Sequence, residues 1–253
     1  MNLEGWRVKN CLWSIRQQTE QNIQVIISDV NSDKTHLEEL SRLARGFDCT
    51  FIHHERPIWS IAFAYNAGLR ECVGKCAATI DADVIFERKA IEDTLSIMER
   101  NTNQAVIRQP VFLGGGDDYS SLKFPEAYKW LSTRPERYVS PSVGSFFCAP
   151  LKWWNMVHGY DERFEMYALE DWEIWRRASR SRLRKILVGG KFKSYPFENP
   201  RVGCKLYHQP HPPFMSRAGI DETTFNSFKA RNKEIYNGDP STIVRNTERW
   251  GIG

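Results

Sequence analysis

The 253-residue sequence lacks the features that define several classes of protein. No apolar run approaches the roughly 18 residues needed to cross a bilayer, and the N-terminus lacks the pattern of a secretory signal peptide. The formal net charge is only +4, and Lys and Arg form no stripe of the kind that binds nucleic acid. We therefore expect neither membrane-spanning helices nor a nucleic-acid partner. Peripheral contact with a membrane and the oligomeric state stay open.

Cysteine pairs of the type that bind zinc are also missing. The six cysteines are scattered along the chain, and none belongs to a Cys-x-x-Cys pair. Cys72 and Cys76 lie close together, but no further Cys or His completes a zinc-binding spacing. We interpret all six as reduced and mostly buried thiols, which predicts a cytoplasmic protein.

The composition is that of an ordinary globular protein, with 41% hydrophobic and 26% charged residues. A chain of this length can form one large domain or two small ones. Because no internal repeat and no break in composition divides the chain, we predict a single domain over residues 1–253.

Predicted helices and strands alternate in the first half of the chain. Apolar stripes with helical spacing predict helices, and short apolar or β-branched runs predict strands. Helices are expected at residues 6–18, 35–43, 61–72 and 88–99, and strands at 23–27, 49–52, 76–80 and 105–107. Strands that alternate with helices form βαβ units, so the pattern predicts an α/β fold with a mostly parallel sheet flanked by helices.

The second half is predicted to be less regular. A run of glycines begins a long irregular stretch that extends to about residue 140, and loops of this length usually have a function or are mobile. After it we expect an apolar patch at residues 146–148, a helix at 170–180, a strand at 186–188 and a segment rich in His and Pro at 208–213.

The most informative local feature is Asp81-Ala82-Asp83, which directly follows the predicted strand 76–80. Ligands of α/β sheets bind at the carboxyl ends of the strands. Two carboxylates at that edge suit a divalent cation, which usually keeps positions open for phosphate oxygens. The alternative is a turn in which the Asp side chains bond to nearby backbone amides.

Two further acids begin the predicted helix 170–180. Glu170 and Asp171 lie in its first turn, where the helix dipole favours negative charge and keeps carboxylates ionised. An ionised carboxylate beside a substrate hydroxyl can act as a general base. The alternative is that both acids serve only to start the helix.

Histidines and one more aspartate complete the candidates. His208 and His211 are separated by Gln209 and Pro210, and neutral imidazole is a good ligand for divalent metals. The same two histidines can equally belong to a surface loop. Asp29 follows the predicted strand 23–27, where it can cap a loop or accept a hydrogen bond from a bound base.

Short motifs follow one another in an order that is more informative than any single motif. They lie at residues 26–32, 65–69, 81–83, 143–145, 159–164, 170–171 and 206–211. Taken together, they resemble the glycosyltransferases of the GT-A fold, particularly the large family 2 and the related β-galactosyltransferase group. The resemblance covers most of the chain and implies a Rossmann-like GT-A sheet.

The resemblance can be stated motif by motif. Residues 26–32 look like the family's strand ending in Asp-Asp-Gly-Ser, and residues 65–69 look like its Arg-Asn-x-Gly-Ile helix. The Asp81-Ala82-Asp83 segment looks like its Asp-x-Asp motif.

The later motifs follow in the family's order. Residues 143–145 lie where a Gly-containing acceptor strand is expected. Residues 159–164, followed by Glu170-Asp171, look like Gly-Phe-Asp-Glu-x-Phe ending in Glu-Asp. Residues 206–211 resemble the late metal-ligand segment.

The resemblance implies a donor half at residues 1–110 that binds a nucleotide-sugar, expected to be a UDP-sugar. Mn²⁺ or Mg²⁺ would bridge Asp83 and the diphosphate, with His211 and then His208 as further ligands. Trp59 would pack on the base or be a half-buried core residue. The other implied donor-site residues are Asp29, which would contact the uracil, Asn66 and Asp81.

The second half, residues 111–253, would bind a glycan or another hydroxyl acceptor and form the C-terminal tail. Asp171 would be the general base of a single displacement that inverts the sugar carbon, and Glu170 would hold the acceptor. Tyr167 and Gly144 would lie on the acceptor side. The segment 112–140 is expected to help choose the acceptor.

Departures from the family's pattern keep other functions open. We expect the family's usual first strand to be missing from the sheet, because Met1 falls almost at the first helix. Tyr65 and Val30 replace an Arg and an Asp, and Ala168-Leu169 replaces a Gly pair. The alternatives are a weak or inactive module that binds glycans or nucleotide-sugars, and a nucleotidyltransferase, against which the Glu170-Asp171 helix and the late histidines argue.

Overall fold

Helices and strands alternate through the first 108 residues of the protein. The computed structural model describes residues 2–139, 144–189 and 203–252, and the backbone of residues 198–201. The elements are α1 Gly5–Arg16, β1 Ile26–Val30, α2 Lys34–Gly46, β2 Thr50–His54, α3 Ile61–Arg70, β3 Cys76–Ile80, β4 Val84–Phe86, α4 Ala90–Arg100 and β5 Gln104–Arg108. The predicted alternation is confirmed. The first strand along the chain begins later than predicted, so Ser28 and Asp29 lie in β1 and not in the following loop.

The second half contains more helix than the sequence analysis predicted. Its elements are β6 Val111–Phe112, α5 Ala127–Ser132, β7 Phe146–Pro150, α6 Leu151–Val157, α7 Glu170–Arg180, β8 Arg184–Val188, β9 Glu198–Arg201, β10 Leu206–His208, α8 Phe214–Ala218 and α9 Glu222–Gly238. The expectation of an irregular stretch to residue 140 was wrong in one respect, because α5 lies within it. The helices α6, α8 and α9 were not predicted, whereas the bounds predicted for α7 are confirmed.

The described strands form three groups, which set the positions of the loops at their ends. The largest sheet has the order β3-β7-β5-β8-β9, beside a parallel pair β1-β2 and a three-stranded sheet β4-β10-β6. Strand β7 runs antiparallel to both β3 and β5, while β5-β8, β8-β9 and β6-β10 are parallel. The first described element is α1, and β1 and β3 belong to different groups.

Two apolar cores cover the faces of the largest sheet. One packs α6 and α7 against it through large, fully buried aromatic side chains, including Trp154, Trp175 and Phe147. The other packs residues of α1 and α4 against residues of β5, β7 and β8. Each buried aromatic or large aliphatic side chain contributes about 1.5–3 kcal/mol through apolar burial. Trp154 also donates an indole N–H bond of 3.1 Å to the Ala77 carbonyl.

Helix α7 contains a buried ion pair. Arg177 donates to Glu173 at 2.7 Å, and both side chains are almost completely buried. A second nitrogen of Arg177 donates to the carbonyls of Val157 and Ile243, which ties α7 to α6 and to the C-terminal segment. Breaking such a pair by removing one partner costs about 3–5 kcal/mol. The pair lies within α7, and the bonds of Arg177 to the two carbonyls are what hold the helix against its neighbours. None of the described helices is long and apolar enough to cross a membrane.

Candidate active site

The Asp81-Ala82-Asp83 segment forms the tight turn between β3 and β4. The Val84 N–H donates to the Asp81 carbonyl at 3.2 Å, and the Asp81 N–H donates to the Ser145 carbonyl at 3.2 Å. The Asp81 carboxylate accepts a bond from the Tyr65 hydroxyl at 2.9 Å instead of capping the turn. Oδ1 of Asp83 is buried and has no hydrogen-bond partner. The alternative in which these side chains only bond to backbone amides is therefore not what the structure shows.

Strand β10 brings two histidines to Asp83. It pairs antiparallel with β4 so that His208 lies opposite Val84, next to Asp83 in the chain. Nε2 of His208 is 3.6 Å from Oδ1 of Asp83, and Nε2 of His211 is 3.3 Å from Oδ2. One potential ligand atom from each of the three residues lies within 4.8 Å of the others. The structure thus brings together the three residues predicted as metal ligands.

The two imidazole rings are oriented by their neighbours. Nδ1 of His211 lies 2.8 Å from the Pro212 carbonyl, which can only accept, so in the neutral ring this nitrogen is the donor and Nε2 is the one that can bind a metal. His208 stacks on Phe112 with 4.7 Å between ring centroids. A buried carboxylate oxygen without a partner and two imidazole nitrogens make a donor set that fits a divalent first-row cation such as Mn²⁺. We name the residues Asp83, His208 and His211 the metal-ligand cluster.

Three further carboxylates form a group of their own, and one of them, Asp81, also acts on Asp83 of the metal-ligand cluster. Glu170 and Asp171 begin α7, and their charges interact with that of Asp81. Burial raises the pKa of Glu170 to about 7, although the N–H of Ala168 donates to its carboxylate at 2.6 Å. Burial, and then the charges of Glu170 and Asp81, raise the pKa of Asp171 well above its ordinary value. We name Asp81, Glu170 and Asp171 the carboxylate cluster.

These pKa shifts correct one expectation from the sequence. The helix dipole was expected to keep Glu170 and Asp171 ionised, and α7 does begin at Glu170. The dipole effect is typically below 1 kcal/mol at an exposed helix end, whereas full burial of a carboxylate shifts its pKa by several units. Burial and mutual repulsion therefore outweigh the dipole, and the pair holds protons to a higher pH than ordinary carboxylates do.

The backbone before α7 has a conformation that glycine adopts easily. Ala168 has φ 129° and Leu169 has φ 72°, both in the region that disfavours residues with a β-carbon. These two residues stand where the Gly pair of similar proteins was expected. Ala168 and Leu169 therefore keep the backbone conformation of a glycine pair. Such strain costs about 1–3 kcal/mol of stability per residue.

The predicted acceptor-side residues lie beside the carboxylate cluster. Gly144 approaches Asp171 so closely that a β-carbon at Gly144 would overlap Oδ2 of that carboxylate. Tyr167 is 37% exposed and packs edge-on against Phe214, with 5.0 Å between ring centroids. Val143, which was quoted with Gly144, lies outside the described residues.

The sequence of this chain is similar to those of known proteins. The model of the family described as "Glycosyl transferase family 2" matches residues 4–164, which is more than half of the chain. The chain belongs to glycosyl transferase family 2. A curated relative from Haemophilus influenzae, named "Uncharacterized glycosyltransferase", is 24% identical over 91% of this chain and 76% of its own length.

Solved structures of glycosyltransferases share the fold of this family 2 member. GalNAc-T7 with UDP, GalNAc and Mn²⁺ is 15% identical with a TM-score of 0.56, over 92% of this chain and 48% of the other. The mannosyltransferase PcManGT from Pyrobaculum calidifontis, with GDP-Man and Mn²⁺, is 14% identical with a TM-score of 0.54, over 92% and 59%. TarS 1-349 from S. aureus with UDP is 11% identical with a TM-score of 0.55, over 96% and 64%. These similarities show the GT-A fold, and the chain spans about half to two thirds of those structures.

Asn66 has a different place from the one that the resemblance to family 2 implied. It was expected in the donor site, but it is completely buried. Its amide nitrogen donates to the Tyr160 carbonyl at 2.9 Å and to Glu162 at 2.8 Å, and its amide oxygen accepts from the Tyr160 N–H at 2.7 Å. Since its amide is used inside the protein, Asn66 positions the segment that leads to α7.

Asp29 and Trp59 both make contacts inside the protein. The carboxylate of Asp29 is buried, with one oxygen 2.6 Å from the Ser32 hydroxyl and the other 2.8 Å from Nδ1 of His53. Each oxygen thus already accepts a bond inside the protein, which ties the Asp29 carboxylate to its own loop and to β2. Trp59 is half-buried and packs against Phe214 with 4.9 Å between ring centroids, which agrees with the core alternative.

The sequence analysis missed three side chains near the site. Tyr65 binds Asp81, yet it was noted only as a replacement for an Arg. The Tyr160 hydroxyl pairs with Thr79 at 2.8 Å, and both residues are buried. Arg217 lies in α8 and was not singled out, because no local motif marks it. A shallow pocket of about 260 Å³ opens beside His211, between Trp6 and Tyr119.

Proposed function

We propose that this chain is a metal-dependent, inverting hexosyltransferase that moves a sugar from a nucleotide-sugar donor, expected to be a UDP-sugar, to a hydroxyl of a glycan or similar acceptor. The observation that carries the proposal is the metal-ligand cluster together with the carboxylate cluster, one of whose members, Asp81, also acts on Asp83. Support comes from GalNAc-T7 and PcManGT, which share the fold and contain a nucleotide or nucleotide-sugar together with Mn²⁺.

Asp83, His208 and His211 would hold the cation. Their fit rests on the unpartnered buried oxygen of Asp83 and on the ring orientation of His211. A divalent cation bound there would offset the negative charge that develops on the departing nucleoside diphosphate. In the same proposal Asp81 stays bonded to Tyr65, which keeps the turn between β3 and β4 in one conformation.

Asp171 is the general base in this proposal. The acceptor hydroxyl loses its proton to the Asp171 carboxylate while its oxygen forms a bond to the anomeric carbon of the donor sugar. The bond from that carbon to the diphosphate oxygen breaks, and the nucleoside diphosphate leaves with the electron pair. A pKa raised by burial makes Asp171 a stronger base than an ordinary aspartate, and Glu170 holds the acceptor.

One observation favours a second function. Two residues predicted to bind the donor, Asp29 and Asn66, are committed to internal hydrogen bonds. A module that binds nucleotide-sugars or glycans and transfers sugar weakly or not at all would have such a reduced donor pocket. This alternative still predicts metal-dependent binding, but it predicts no metal-dependent turnover.

The experiment is a donor screen in which released nucleoside diphosphate is measured with Mn²⁺ and with EDTA. We expect release from at least one UDP- or GDP-sugar with Mn²⁺ only, and a loss of about 100-fold or more in Asp83→Asn and Asp171→Asn. Asp33→Asn is the matched control, since Asp33 is an exposed N-cap and Asn caps equally well. Turnover that persists in both site variants, or in EDTA, would contradict the proposal. Metal-dependent binding without turnover would favour the alternative.

A further inference from the structure

Gln209 is a completely buried residue between the two histidines of the metal-ligand cluster. Its side-chain nitrogen donates to the Asp83 carbonyl at 3.0 Å and to the Arg7 carbonyl at 3.1 Å. Its side-chain oxygen accepts a bond of 2.8 Å from the Asn10 amide. Both N–H groups of the Gln209 amide are therefore used, and this side chain joins the end of β10 to the turn before β4 and to α1.

The backbone around Gln209 is fixed by the same neighbours. The N–H of Gln209 donates to the Asp83 carbonyl at 3.1 Å, so that one carbonyl accepts two bonds from a single residue. Nε of Arg7, which belongs to α1 and is buried, donates to the Pro210 carbonyl at 2.8 Å. The segment between the two histidines is thus attached both to Asp83 and to α1.

Strand geometry explains why Gln209 faces away from the cation site. Successive side chains of a strand point to opposite faces. His208 is the last residue of β10 and faces Asp83, with Nε2 3.6 Å from Oδ1. Gln209 follows it and faces α1. It therefore supplies no ligand atom, and its effect on a bound cation passes through Asp83 and the histidines.

The groups that Gln209 joins have other hydrogen-bond partners as well. The Asp83 carbonyl also accepts the backbone N–H of Gln209, and the Asn10 amide also donates to the Tyr119 carbonyl at 2.8 Å. An apolar side chain at position 209 would leave both groups with a partner. What the amide adds is a fixed distance between Asp83, α1 and β10. Bonds from outside the ligand set that fix the ligands in this way are characteristic of metal sites.

We propose that Gln209, held by Asn10, is a positioning residue of the metal-ligand cluster. This inference rests on the proposed function and gives α1 a part in the same site. A bound cation requires its ligand atoms to be placed to within about 0.2 Å. By binding the Asp83 carbonyl from the segment between the histidines, Gln209 holds the carboxylate and the two imidazoles at one spacing.

The test is Mn²⁺ binding to the full chain, measured by calorimetry well below the melting temperature of every variant. Gln209→Ala is expected to weaken Mn²⁺ binding about tenfold or more, although all three ligands stay in place. Asn10→Ala is expected to weaken it to a smaller extent, because it removes only the bond that holds Gln209. Since Asn10 acts through Gln209, the double variant should bind Mn²⁺ no more weakly than Gln209→Ala alone.

Gln18→Ala is the matched control, because Gln18 is another buried glutamine that ties α1 to its surroundings. Its amide donates to the Ser14 carbonyl at 2.9 Å and to the Glu87 carbonyl at 3.0 Å, and accepts from the Ile91 N–H at 3.0 Å. None of these bonds reaches the metal-ligand cluster. We expect both variants to lower the melting temperature, and only Gln209→Ala to weaken Mn²⁺ binding. A merely structural role of Gln209 would make the two variants alike in both measurements.

Three outcomes overturn the inference and leave the proposed function intact. The first is a Gln209→Ala variant that binds Mn²⁺ as tightly as the Gln18→Ala control. The second is an additive loss in the double variant, which would show that Asn10 does not act through Gln209. The third, decisive if Gln209→Ala does not fold, is an Asn10→Ala variant that binds Mn²⁺ like the control. A wild type without a Mn²⁺ site would contradict the proposed function itself, and this inference with it.

Discussion

Gly144 and Asp171 are in direct contact, since a β-carbon at position 144 would overlap Oδ2 of the Asp171 carboxylate. The glycine comes just before β7 and the aspartate begins α7, so two elements distant in sequence meet at one point of the site. The absence of a side chain at position 144 leaves room for the carboxylate that we propose as the general base.

Gly144→Ala is therefore expected to displace Asp171 and to lower kcat/KM by about tenfold or more, because small displacements of a reacting group are costly. The measurement is steady-state transfer with the donor identified by the screen. Gly114→Ala is the matched control, since no atom lies within 4 Å of a β-carbon there, and it should behave as wild type. Equal activity of the two variants would show that Asp171 is not held by this contact.

The pH dependence of transfer should report the raised pKa values of the carboxylate cluster. A general base acts only when ionised, and burial raises the pKa of Asp171, so kcat/KM is expected to rise with pH along an acidic limb well above the range of an ordinary aspartate. In Glu170→Gln one neighbouring negative charge is gone, which lowers the pKa of Asp171 and moves the limb to lower pH. If kcat/KM of the wild type rose with pH around pH 4, the general base would not be a buried carboxylate with a raised pKa.

The stability of the protein should respond to Glu170→Gln in a pH-dependent way. Burial raises the folded-state pKa of Glu170 to about 7, so the wild type loses stability as the pH rises from about 4.5 to 7. The variant lacks this titration. Its melting temperature is therefore expected to exceed that of the wild type by several degrees at pH 8 and to differ little at pH 4.5. If the melting temperature of the variant exceeded that of the wild type equally at both pH values, the difference would not come from the titration of Glu170.

Asn66→Ala separates a structural role from donor binding. The change removes bonds to Tyr160 and Glu162 and leaves buried backbone groups unsatisfied, so the free energy of unfolding should fall by about 2–4 kcal/mol. The affinity of the folded variant for UDP with Mn²⁺ is expected to stay within about twofold, as the side chain is completely buried. A large loss of UDP affinity at unchanged stability would restore Asn66 to the donor site.

Much of the site could be predicted because its residues follow local patterns. The apolar run of β3 ends at Ile80, so Asp81 and Asp83 had to emerge at the end of a strand. Acids at the start of an amphipathic segment likewise predicted where α7 begins. The chemistry of imidazole made the two histidines candidate ligands, and the resemblance of their segment favoured that role over a surface loop. Strand β10 brings them to Asp83 by pairing with β4.

The remaining features depend on contacts that no local pattern encodes. The partners of Asn66 are about ninety residues away, and Asp29 meets His53 through the register of two parallel strands. The protonation of the carboxylate cluster depends on burial, which is a property of the folded chain. Helix α9 has few buried residues, so its apolar stripe was too weak to predict it.

The central claim is that Asp83, His208 and His211 together hold one divalent cation, and a Mn²⁺ titration tests it most directly. Calorimetry of the wild type should give one site per chain, lost or weakened at least about tenfold in Asp83→Asn and in His211→Ala. His36→Ala should bind like the wild type, because His36 pairs with Asp33 at an exposed helix start where the described residues supply no third ligand. A wild type without a Mn²⁺ site, or site variants that bind Mn²⁺ as tightly as the His36 control, would contradict the account.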